Sequence, residues 1–206
     1  MSDIRLYVVR HGATVWNKET RYQGQTDIPL SEEGEEQAER IAGRFTCEPI
    51  TAVYSSPLMR ALDTARVIAR PHGLEVGLLP GMLEIGFGDW EGKEYTHVRE
   101  QYSEKLRNWI QDPLKHGIPN GESLPALKER VEGALDKILS EHKEGHVVLV
   151  GHSGSIRMLF CSLLKMNLSA FWRIMQFNGG VNRIEFRNSI PTVFSMNDTA
   201  HMGFDL

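Results

Sequence analysis

Five short segments of the chain are apolar and rich in β-branched residues, and each predicts a β-strand. We interpret the first three as buried strands and the last two as a pair joined by a turn at Asn188–Pro191. The segments are Ile4–Val9, "ITAVYSS" at 50–56, "HVVLVG" at 146–151, "VNRIEF" at 181–186 and "PTVFSMN" at 191–197.

Between these strands, apolar residues recur at the three- and four-residue spacing of one helix face. In "LSEEGEEQAERIAGRF", Ser31 fits an N-cap, and Glu32 and Glu33 suit the positive end of the helix dipole. Pro57 stands where the first turn of the next helix accepts proline. The four predicted apolar faces comprise Ala38, Ile41, Ala42 and Phe45; Leu58, Ala61, Leu62, Ala65 and Ala69; Leu124, Leu127, Val131, Ala134, Leu135 and Ile138; and Ile156, Leu159, Phe160, Leu163 and Leu164.

The stretch between Met82 and Pro125 shows no single periodicity. It contains "EIGFGDWEG", an aromatic-rich helix candidate from Tyr95 to Ile110, and the loop "QDPLKHGIPNGES". We interpret positions 86–122 as a partly helical insertion, a lid that covers a site. The chain as a whole, positions 1–206, is expected to form one domain that carries this lid.

Strands that alternate with helices predict an α/β fold, with a mostly parallel central sheet and helices on both faces. In such a sheet, ligands bind beyond the carboxyl ends of the strands. His11 and His152 follow two of the predicted strands, and Arg60 lies within one turn of the end of a third. If these three strands are neighbours, the three side chains meet at one edge of the sheet.

The composition narrows the class of protein. With 206 residues, 41% hydrophobic and 24% charged, the chain is typical of a globular protein that buries a full core. Its net charge of −4 gives no general attraction for nucleic acid or an anionic membrane. Cys47 and Cys161 form no CxxC pair, and no apolar run reaches the roughly 18 residues of a membrane span. We therefore expect a cytoplasmic protein without disulfides.

The residues expected at this edge would form a positive pocket in an acidic protein. Guanidinium groups match the geometry of phosphate oxygens, and the first turn of the helix that carries Arg60 favours an anion. Gly12, and Ser153 with Gly154 after the second histidine, would let the backbone approach such an anion closely. The sequence therefore predicts a phosphoryl-binding site. Its core consists of Arg10, His11, Arg60 and His152.

This group of residues suits phosphoryl transfer. A neutral imidazole can attack phosphorus and hold the group covalently. Because the transferring group resembles metaphosphate, the arginines and the second histidine can supply the charge that magnesium supplies elsewhere, so no metal or cofactor is expected. The leaving oxygen needs a proton. Glu84, which follows an apolar stretch and lies among glycines, is the candidate donor, with Asp89 and Glu91 as nearby alternatives.

Six blocks in order over nearly the whole chain resemble the histidine phosphatase superfamily, the phosphoglycerate mutase-like proteins. The resemblance implies that His11 is phosphorylated, Arg60 binds phosphate, Glu84 is the acid and His152 is the second histidine. It also implies that Asn17, Gln23 and Gly24 contact phosphate or substrate. The blocks are "RHGATVWN", "RYQGQTDIPLSEEG", "VYSSPLMRALDTA", "LEIGFGDWEG", "NGESLPALKERV" and "VVLVGHSGSIRML".

The form of the acid block favours one branch of this family. "LEIGFGDWEG", and the spacing from Trp109 through Asp112 and Pro113 to Ser123, are similar to α-ribazole phosphatases and broad-specificity phosphatases. The resemblance implies a metal-independent phosphomonoesterase that acts on a small phosphorylated metabolite through a phosphohistidine, with α-ribazole 5′-phosphate as a candidate substrate. Cofactor-dependent phosphoglycerate mutase is the alternative enzyme. A non-catalytic sensor of a phosphorylated ligand is the alternative outside enzymes.

The other histidines are interpreted as structural or exposed. His142 and His146 have the four-residue spacing of metal ligands on a helix, but Gly145 lies between them in a highly charged stretch. A single histidine at the end of a strand is also most often structural. The pairing of His11 with His152, together with the five other blocks, favours the catalytic interpretation here.

Overall fold

The computed structural model describes residues 3–203 and contains a six-stranded mixed sheet in the order β3-β2-β4-β1-β5-β6. Strands β1 to β4 are parallel, whereas β5 runs antiparallel to β1 and to β6. This confirms the predicted α/β class with a mostly parallel sheet. The strands are β1 (Asp3–Arg10), β2 (Ile50–Ser55), β3 (Val76–Leu78), β4 (Glu144–Gly151), β5 (Val181–Arg187) and β6 (Ile190–Asp198).

The α-helices cover both faces of the sheet. Leu6 and Val8 of β1 join the apolar cluster beneath α6 and α7, whereas Tyr7 and Val9 join the cluster beneath α2 and α3. Alternate residues of a strand point to opposite faces, so one buried strand contributes to both cores. The helices are α1 (Val15–Lys18), α2 (Glu32–Phe45), α3 (Met59–Ala69), α4 (Tyr95–Gln101), α5 (Ser103–Gln111), α6 (Leu124–Glu141) and α7 (Ser153–Leu163).

The start of α3 differs from the prediction. The helix begins at Met59, so Pro57 lies before it and not in its first turn. Leu58 occupies the N-cap position without a side-chain cap, and Asp27 from a distant loop accepts a hydrogen bond from the Met59 N–H at 2.8 Å. The N-cap Ser31 of α2 is confirmed, because its hydroxyl oxygen accepts from the N–H of Gly34.

The buried face of α3 also differs from its predicted stripe. Leu62 is only half-buried, whereas Arg60 and Thr64 are fully buried alongside Ala61 and Ala65. A hydrophobicity pattern assigns polar residues to the surface, so it could not show that this helix buries a guanidinium group. The helix therefore carries a cation into the interior next to the sheet edge.

The segment between β3 and α6 contains two α-helices where the sequence predicts one. The chain leaves helical geometry at Tyr102, with φ −126° and ψ 32°, and this divides the aromatic-rich stretch into α4 and α5. The two ends of the segment lie side by side, since the Glu122 N–H donates to the Gly86 carbonyl at 2.8 Å. Trp90 and Trp109 are buried in the same core as α6 and α7.

Strands β2, β4 and β1 are adjacent, as the convergence of the predicted site requires. Arg10 pairs with Gly151, and Ser55 pairs with Val150, so the three strands end at nearly the same level. The short edge strand β3 was not predicted, since three residues are too few to show a period of two. Within the described part of the chain, no helix has both the length and the apolar character needed to cross a membrane.

Candidate active site

His11 is the first residue after β1, and its ring is buried. Its Nδ1 lies 2.6 Å from the carbonyl oxygen of Gly12. Because a carbonyl oxygen only accepts, Nδ1 carries the proton and Nε2 carries the lone pair. Gly12 is required here, since a Cβ at this position would lie 2.3 Å from the carbonyl oxygen of Gly34. This tight loop fixes the ring in the tautomer whose Nε2 can act as a nucleophile.

His152 follows β4 and stands at the amino end of α7, with its ring centroid 5.0 Å from that of His11. Its Nε2 lies 2.7 Å from the hydroxyl oxygen of Ser56. Burial, and then the charges of Arg60 and Arg10, lower the pKa of the His11 imidazole well below its usual value. Burial and the same positive surroundings lower the pKa of His152 in the same direction. Both rings are therefore neutral at neutral pH.

Arg60 reaches the sheet edge from the second position of α3 and is fully buried. Its two terminal nitrogens donate to the carbonyl oxygens of Thr26 at 2.9 Å and Gly24 at 2.7 Å. Its Nε has no partner among the described residues. The guanidinium group therefore anchors the loop that carries Gly24 and still has N–H groups to offer an anion.

Arg10 ends β1, and its Nη1 donates to the carbonyl oxygen of Gln176 at 2.6 Å. Its buried Nε also has no partner within residues 3–203. Burial lowers the pKa of Arg10 to about 10, so the side chain remains charged at neutral pH. A second guanidinium group with an unused N–H thus faces the pocket.

Glu84 approaches from the other side and is 8% exposed. Its Oε1 accepts hydrogen bonds from the N–H groups of Ile85 at 2.8 Å and Gly154 at 2.9 Å. A Cβ at Gly154 would lie 2.3 Å from this oxygen, so the contact requires glycine. The carboxyl group is therefore fixed against the first turn of α7, beside His152.

The structure separates Glu84 from its two sequence alternatives. Glu91 accepts hydrogen bonds from the backbone N–H groups of Gln25, Thr26 and Phe87, which ties the acid segment to the loop gripped by Arg60. Asp89 is exposed and accepts a hydrogen bond from the side-chain amide of Asn120. Neither lines the pocket, whereas Glu84 does.

One cavity of about 190 Å³ is lined by Arg10, Arg60, His11 and Glu84. Within the described residues, no three His, Cys, Asp or Glu side chains are grouped so that they could share a metal ion. His152 does not line the cavity and instead packs against the His11 ring. The predicted site residues that line it are Arg10, His11, Asn17, Gln23, Gly24, Arg60, Glu84 and Ser153.

The predicted substrate-contacting residues surround the mouth of this cavity. The Oδ1 of Asn17 accepts from the Thr14 N–H at 2.9 Å, which leaves its amide NH₂ for the pocket. Gln23 is 8% exposed, and its amide oxygen has no partner in residues 3–203. Gly24 adopts φ +55°, and its carbonyl group is already engaged by Arg60. Gly24 can therefore contact a ligand through its N–H but not through this carbonyl.

Arg157 and Trp172 also line the cavity, and neither is among the site residues predicted from the sequence. Arg157 lies four residues after Ser153 on α7, so the two share a helix face. This spacing could have predicted that Arg157 faces the same site as Ser153. Trp172 lies in the 3₁₀ segment Leu168–Arg173, which has no periodicity that indicates where its side chains point.

A sequence profile described as the histidine phosphatase superfamily (branch 1) matches residues 6–199. The chain belongs to this superfamily. The match confirms the family resemblance found in the six sequence blocks. In this histidine phosphatase, Cys47 is an exposed free thiol and Cys161 a buried one.

Individual relatives of this histidine phosphatase carry different activities in their names. The chain is 36% identical over 200 residues to phosphoserine phosphatase 1 of Hydrogenobacter thermophilus, covering 97% of this chain and 95% of the relative. It is 33% identical over 186 residues to the probable phosphoglycerate mutase GpmB of Cronobacter sakazakii, covering 90% and 86%. The solved structure of Bacillus stearothermophilus YhfR is similar, with a TM-score of 0.90 at 29% identity, covering 97% and 99%.

The family and its phosphatase relatives establish the chain as a phosphoric monoester hydrolase. This confirms the enzyme class expected from the sequence.

Proposed function

We propose that the protein hydrolyses a small phosphate monoester in two steps, through a phosphohistidine on His11 and without a metal ion. The observation that carries this proposal is the state of the His11 ring. Its Nδ1 donates to Gly12, its Nε2 keeps a lone pair, and its depressed pKa keeps it neutral beside two arginines. A neutral nucleophile next to anion-binding groups is what attack on a phosphate dianion requires.

In the first step, Arg10 and Arg60 bind the phosphoryl oxygens and Nε2 of His11 attacks phosphorus. The N–P bond forms as the ester P–O bond breaks, and the leaving oxygen takes the proton of Glu84. The positive charge that develops on the ring is stabilised through the Nδ1–H bond to the Gly12 carbonyl. The arginines offset the charge that spreads over the transferring oxygens.

In the second step, water replaces the released alcohol and attacks phosphorus opposite His11. The Glu84 carboxylate accepts the proton of this water, the P–N bond breaks and inorganic phosphate leaves. His152 acts by holding the His11 ring in place for attack, because the two buried rings pack against each other with their centroids 5.0 Å apart. Both groups return to their starting protonation states, so the cycle needs no external acid or base.

The segment 86–122 is proposed to be the lid of a single domain that spans 1–206. Two observations support this interpretation: its ends are hydrogen-bonded to each other, and Phe87 from it lines the cavity. A covering segment excludes water and restricts the leaving group. The cytoplasmic location expected from the composition stays a prediction.

The ligand is proposed to be a small phosphorylated metabolite, in keeping with a cavity of about 190 Å³. α-Ribazole 5′-phosphate is the candidate substrate that the sequence resemblance implies. Phosphoserine is a second candidate, because one relative is named a phosphoserine phosphatase. Phosphate release from a panel that contains both, with p-nitrophenyl phosphate, tests the proposal. No turnover of any ester by a folded protein would favour the sensor alternative.

Phosphoglycerate mutase stays the alternative reaction because of the GpmB relatives. Isomerisation of 3-phosphoglycerate, measured with and without 2,3-bisphosphoglycerate, separates the two reactions. We expect phosphate release to exceed isomerisation under both conditions. Isomerisation that is faster than phosphate release and depends on the bisphosphate would overturn the proposal.

A further inference from the structure

The side chain of Arg157 is held rigidly at the wall of the cavity. Its Nε donates to the carbonyl oxygen of Ile174 at 2.7 Å, and its guanidinium carbon lies 4.8 Å from the ring centroid of Trp172. Phe171 contributes a second aromatic face at 5.9 Å. A guanidinium group stacked on an indole and bound at Nε is fixed in orientation, with its terminal nitrogens directed away from the bound edge.

This cation has no carboxylate partner. Within residues 3–203, no Asp or Glu oxygen lies within salt-bridge distance of Arg157, and its Nη1 donates no hydrogen bond to another described residue. Arg21, the other arginine on this side, is already paired with Glu19 and Glu94. Burial lowers the pKa of Arg157, and the charge of Glu84 offsets part of this effect without a hydrogen bond between the two side chains. Arg157 is thus a partly buried cation with unused donors that the anion of a ligand can engage.

The proposed chemistry does not use this charge. A phosphate monoester dianion is matched by Arg10 and Arg60, and Glu84 is neutral when it donates its proton to the leaving oxygen. Arg157 is then a third positive charge without a counterpart in the reacting group. The complementary negative charge must come from the leaving group.

The position of Arg157 supports the same conclusion. It lines the phosphoryl cavity and also an adjoining groove of about 660 Å³, which Arg60, His11 and Glu84 do not line. The groove is mostly aromatic and aliphatic, with Tyr22, Tyr95, Trp109, Ile110, Trp172 and Met175 on its walls. Arg10 and Arg21 also line this groove, but the phosphoryl group engages Arg10 and two carboxylates engage Arg21. The leaving group therefore extends from phosphorus into an apolar groove in which Arg157 is the guanidinium group still available to it.

We propose that Arg157, oriented by Trp172, forms a subsite for a carboxylate on the leaving group, so that the preferred substrates are phosphorylated hydroxy acids. A single planar guanidinium group matches one carboxylate, whereas a second phosphoryl group would bring more negative charge than the subsite balances. The inference rests on the proposed function only in placing the phosphoryl group at His11. It adds a residue that selects the leaving group and takes no part in bond breaking.

The test compares two pairs of esters that differ in a carboxylate: phosphoserine with phosphoethanolamine, and 3-phosphoglycerate with glycerol 3-phosphate. We expect the wild type to hydrolyse the acid of each pair with a kcat/KM at least about tenfold higher, since a bidentate charged pair contributes on the order of a factor of ten or more. Arg157→Met keeps an unbranched, flexible side chain but removes the guanidinium group and its charge. It should reduce this acid-to-neutral ratio about tenfold, mainly through KM for the acids, and Arg157→Lys should restore part of it.

The matched control is Arg173→Met, an exposed arginine at the end of the neighbouring 3₁₀ segment, which should leave the ratio as in the wild type. If Arg157→Met lowers turnover of acids and neutral esters equally, Arg157 grips the phosphoryl group and the subsite does not exist. Equal kcat/KM values of the wild type for the acids and the neutral esters would also overturn the inference. In that case, hydrolysis of the neutral esters would still support the proposed phosphatase function.

Calorimetric binding of the same pairs to His11→Ala, which cannot form the covalent intermediate, tests the subsite without turnover. Tighter binding of the acids, lost when Arg157→Met is added, supports the subsite even if hydrolysis fails. Equal dissociation constants for the acid and neutral members would overturn it. Should Arg157→Met not fold, Trp172→Phe provides the second variant: it removes part of the stacking surface and should lower the same ratio by a smaller factor.

Discussion

The imidazole of His11 lies 5.0 Å from that of His152, centroid to centroid, with the two ring planes inclined by 59°. The rings follow two adjacent parallel strands, so the end of the sheet sets their separation. Burial and the charges of Arg60 and Arg10 keep both rings neutral. In the proposed mechanism, the neutral His11 ring attacks phosphorus while the His152 ring packed against it holds it in position.

Replacement of His11 by alanine should abolish the covalent step. We expect turnover of every ester to fall by at least about 10³-fold, because the remaining arginines position the phosphoryl group but supply no nucleophile. Circular dichroism should show an intact fold. Wild-type protein quenched during turnover should carry phosphate in an acid-labile, base-stable linkage. Substantial activity in folded His11→Ala would contradict the phosphohistidine mechanism.

Arg60→Lys should lower kcat by roughly ten- to a thousand-fold, or about 1.4–4 kcal/mol of transition-state stabilisation. A lysine keeps the charge but cannot bind Gly24, Thr26 and a phosphoryl oxygen together, as the planar guanidinium group can. The control is Arg66→Lys on the exposed side of the same helix, which should behave as wild type. Steady-state kinetics that do not distinguish the two variants would remove Arg60 from the phosphoryl site.

Activity should survive EDTA. Arg10 and Arg60 line the cavity, and in the proposed mechanism their fixed charges provide the stabilisation that a divalent cation provides in other phosphatases. Turnover should be unchanged after dialysis against the chelator. Loss of activity on chelation, with recovery on addition of magnesium or zinc, would be evidence against this mechanism.

Glu84→Gln should slow alkyl phosphates far more than aryl phosphates. An alkoxide leaving group needs a proton from the acid, whereas the p-nitrophenolate ion leaves with little help. Asp89→Asn is the clean control, since Asp89 is exposed. Glu91→Gln is a second, stricter control. It should lower the thermal stability by weakening the hydrogen bonds to Gln25 and Thr26, but it should slow alkyl and aryl phosphates equally. Equal slowing of both ester classes by Glu84→Gln would make Glu84 a positioning residue.

The stability of the fold should decrease below about pH 6.5, the ordinary pKa of histidine in an unfolded chain. Burial lowers the folded-state pKa values of His11 and His152, so below this pH the unfolded chain binds protons that the folded protein rejects. Each buried histidine contributes a slope of up to about 1.4 kcal/mol per pH unit until its folded pKa is reached.

Urea unfolding at pH 7.5 and 5.5 measures this effect. His152→Gln should show a smaller difference between the two pH values than wild type, while the exposed His97→Gln should show the same difference as wild type. A free energy of unfolding that is equal at both pH values would mean that the two rings are not held neutral.

Local patterns in the sequence were sufficient to predict most of the strands and helices of the sheet and its two covering layers. Continuous apolar runs predicted β1, β2 and β4, and helix periodicity with the Ser31 cap predicted α2. These elements are determined by neighbouring residues, so their signals lie within one window of sequence. The positions of His11 and His152 at strand ends were visible for the same reason.

Only the tertiary structure decided which of these residues meet. The order β2-β4-β1 sets the histidines beside Arg60, and strand order depends on pairings between residues far apart in the chain. Glu84 lies in the cavity and Glu91 outside it because they accept hydrogen bonds from the backbone N–H groups of Gly154 and Gln25, respectively, and no local pattern encodes these contacts. The break at Tyr102 likewise leaves no signal in the periodicity.

The proposed Arg157 subsite shows most clearly which features the sequence determines and which depend on the tertiary structure. The helix spacing from Ser153 places Arg157 on the pocket side of α7, and this much the sequence determines. Its orientation depends on Trp172 and the carbonyl of Ile174, which lie in an irregular segment that reaches α7 only through packing. In irregular backbone, the direction of a side chain is set by tertiary contacts and not by repeating dihedral angles. The sequence alone therefore determined that a positive charge lies on this face of α7. Only the tertiary structure determined how its guanidinium group is oriented towards a ligand.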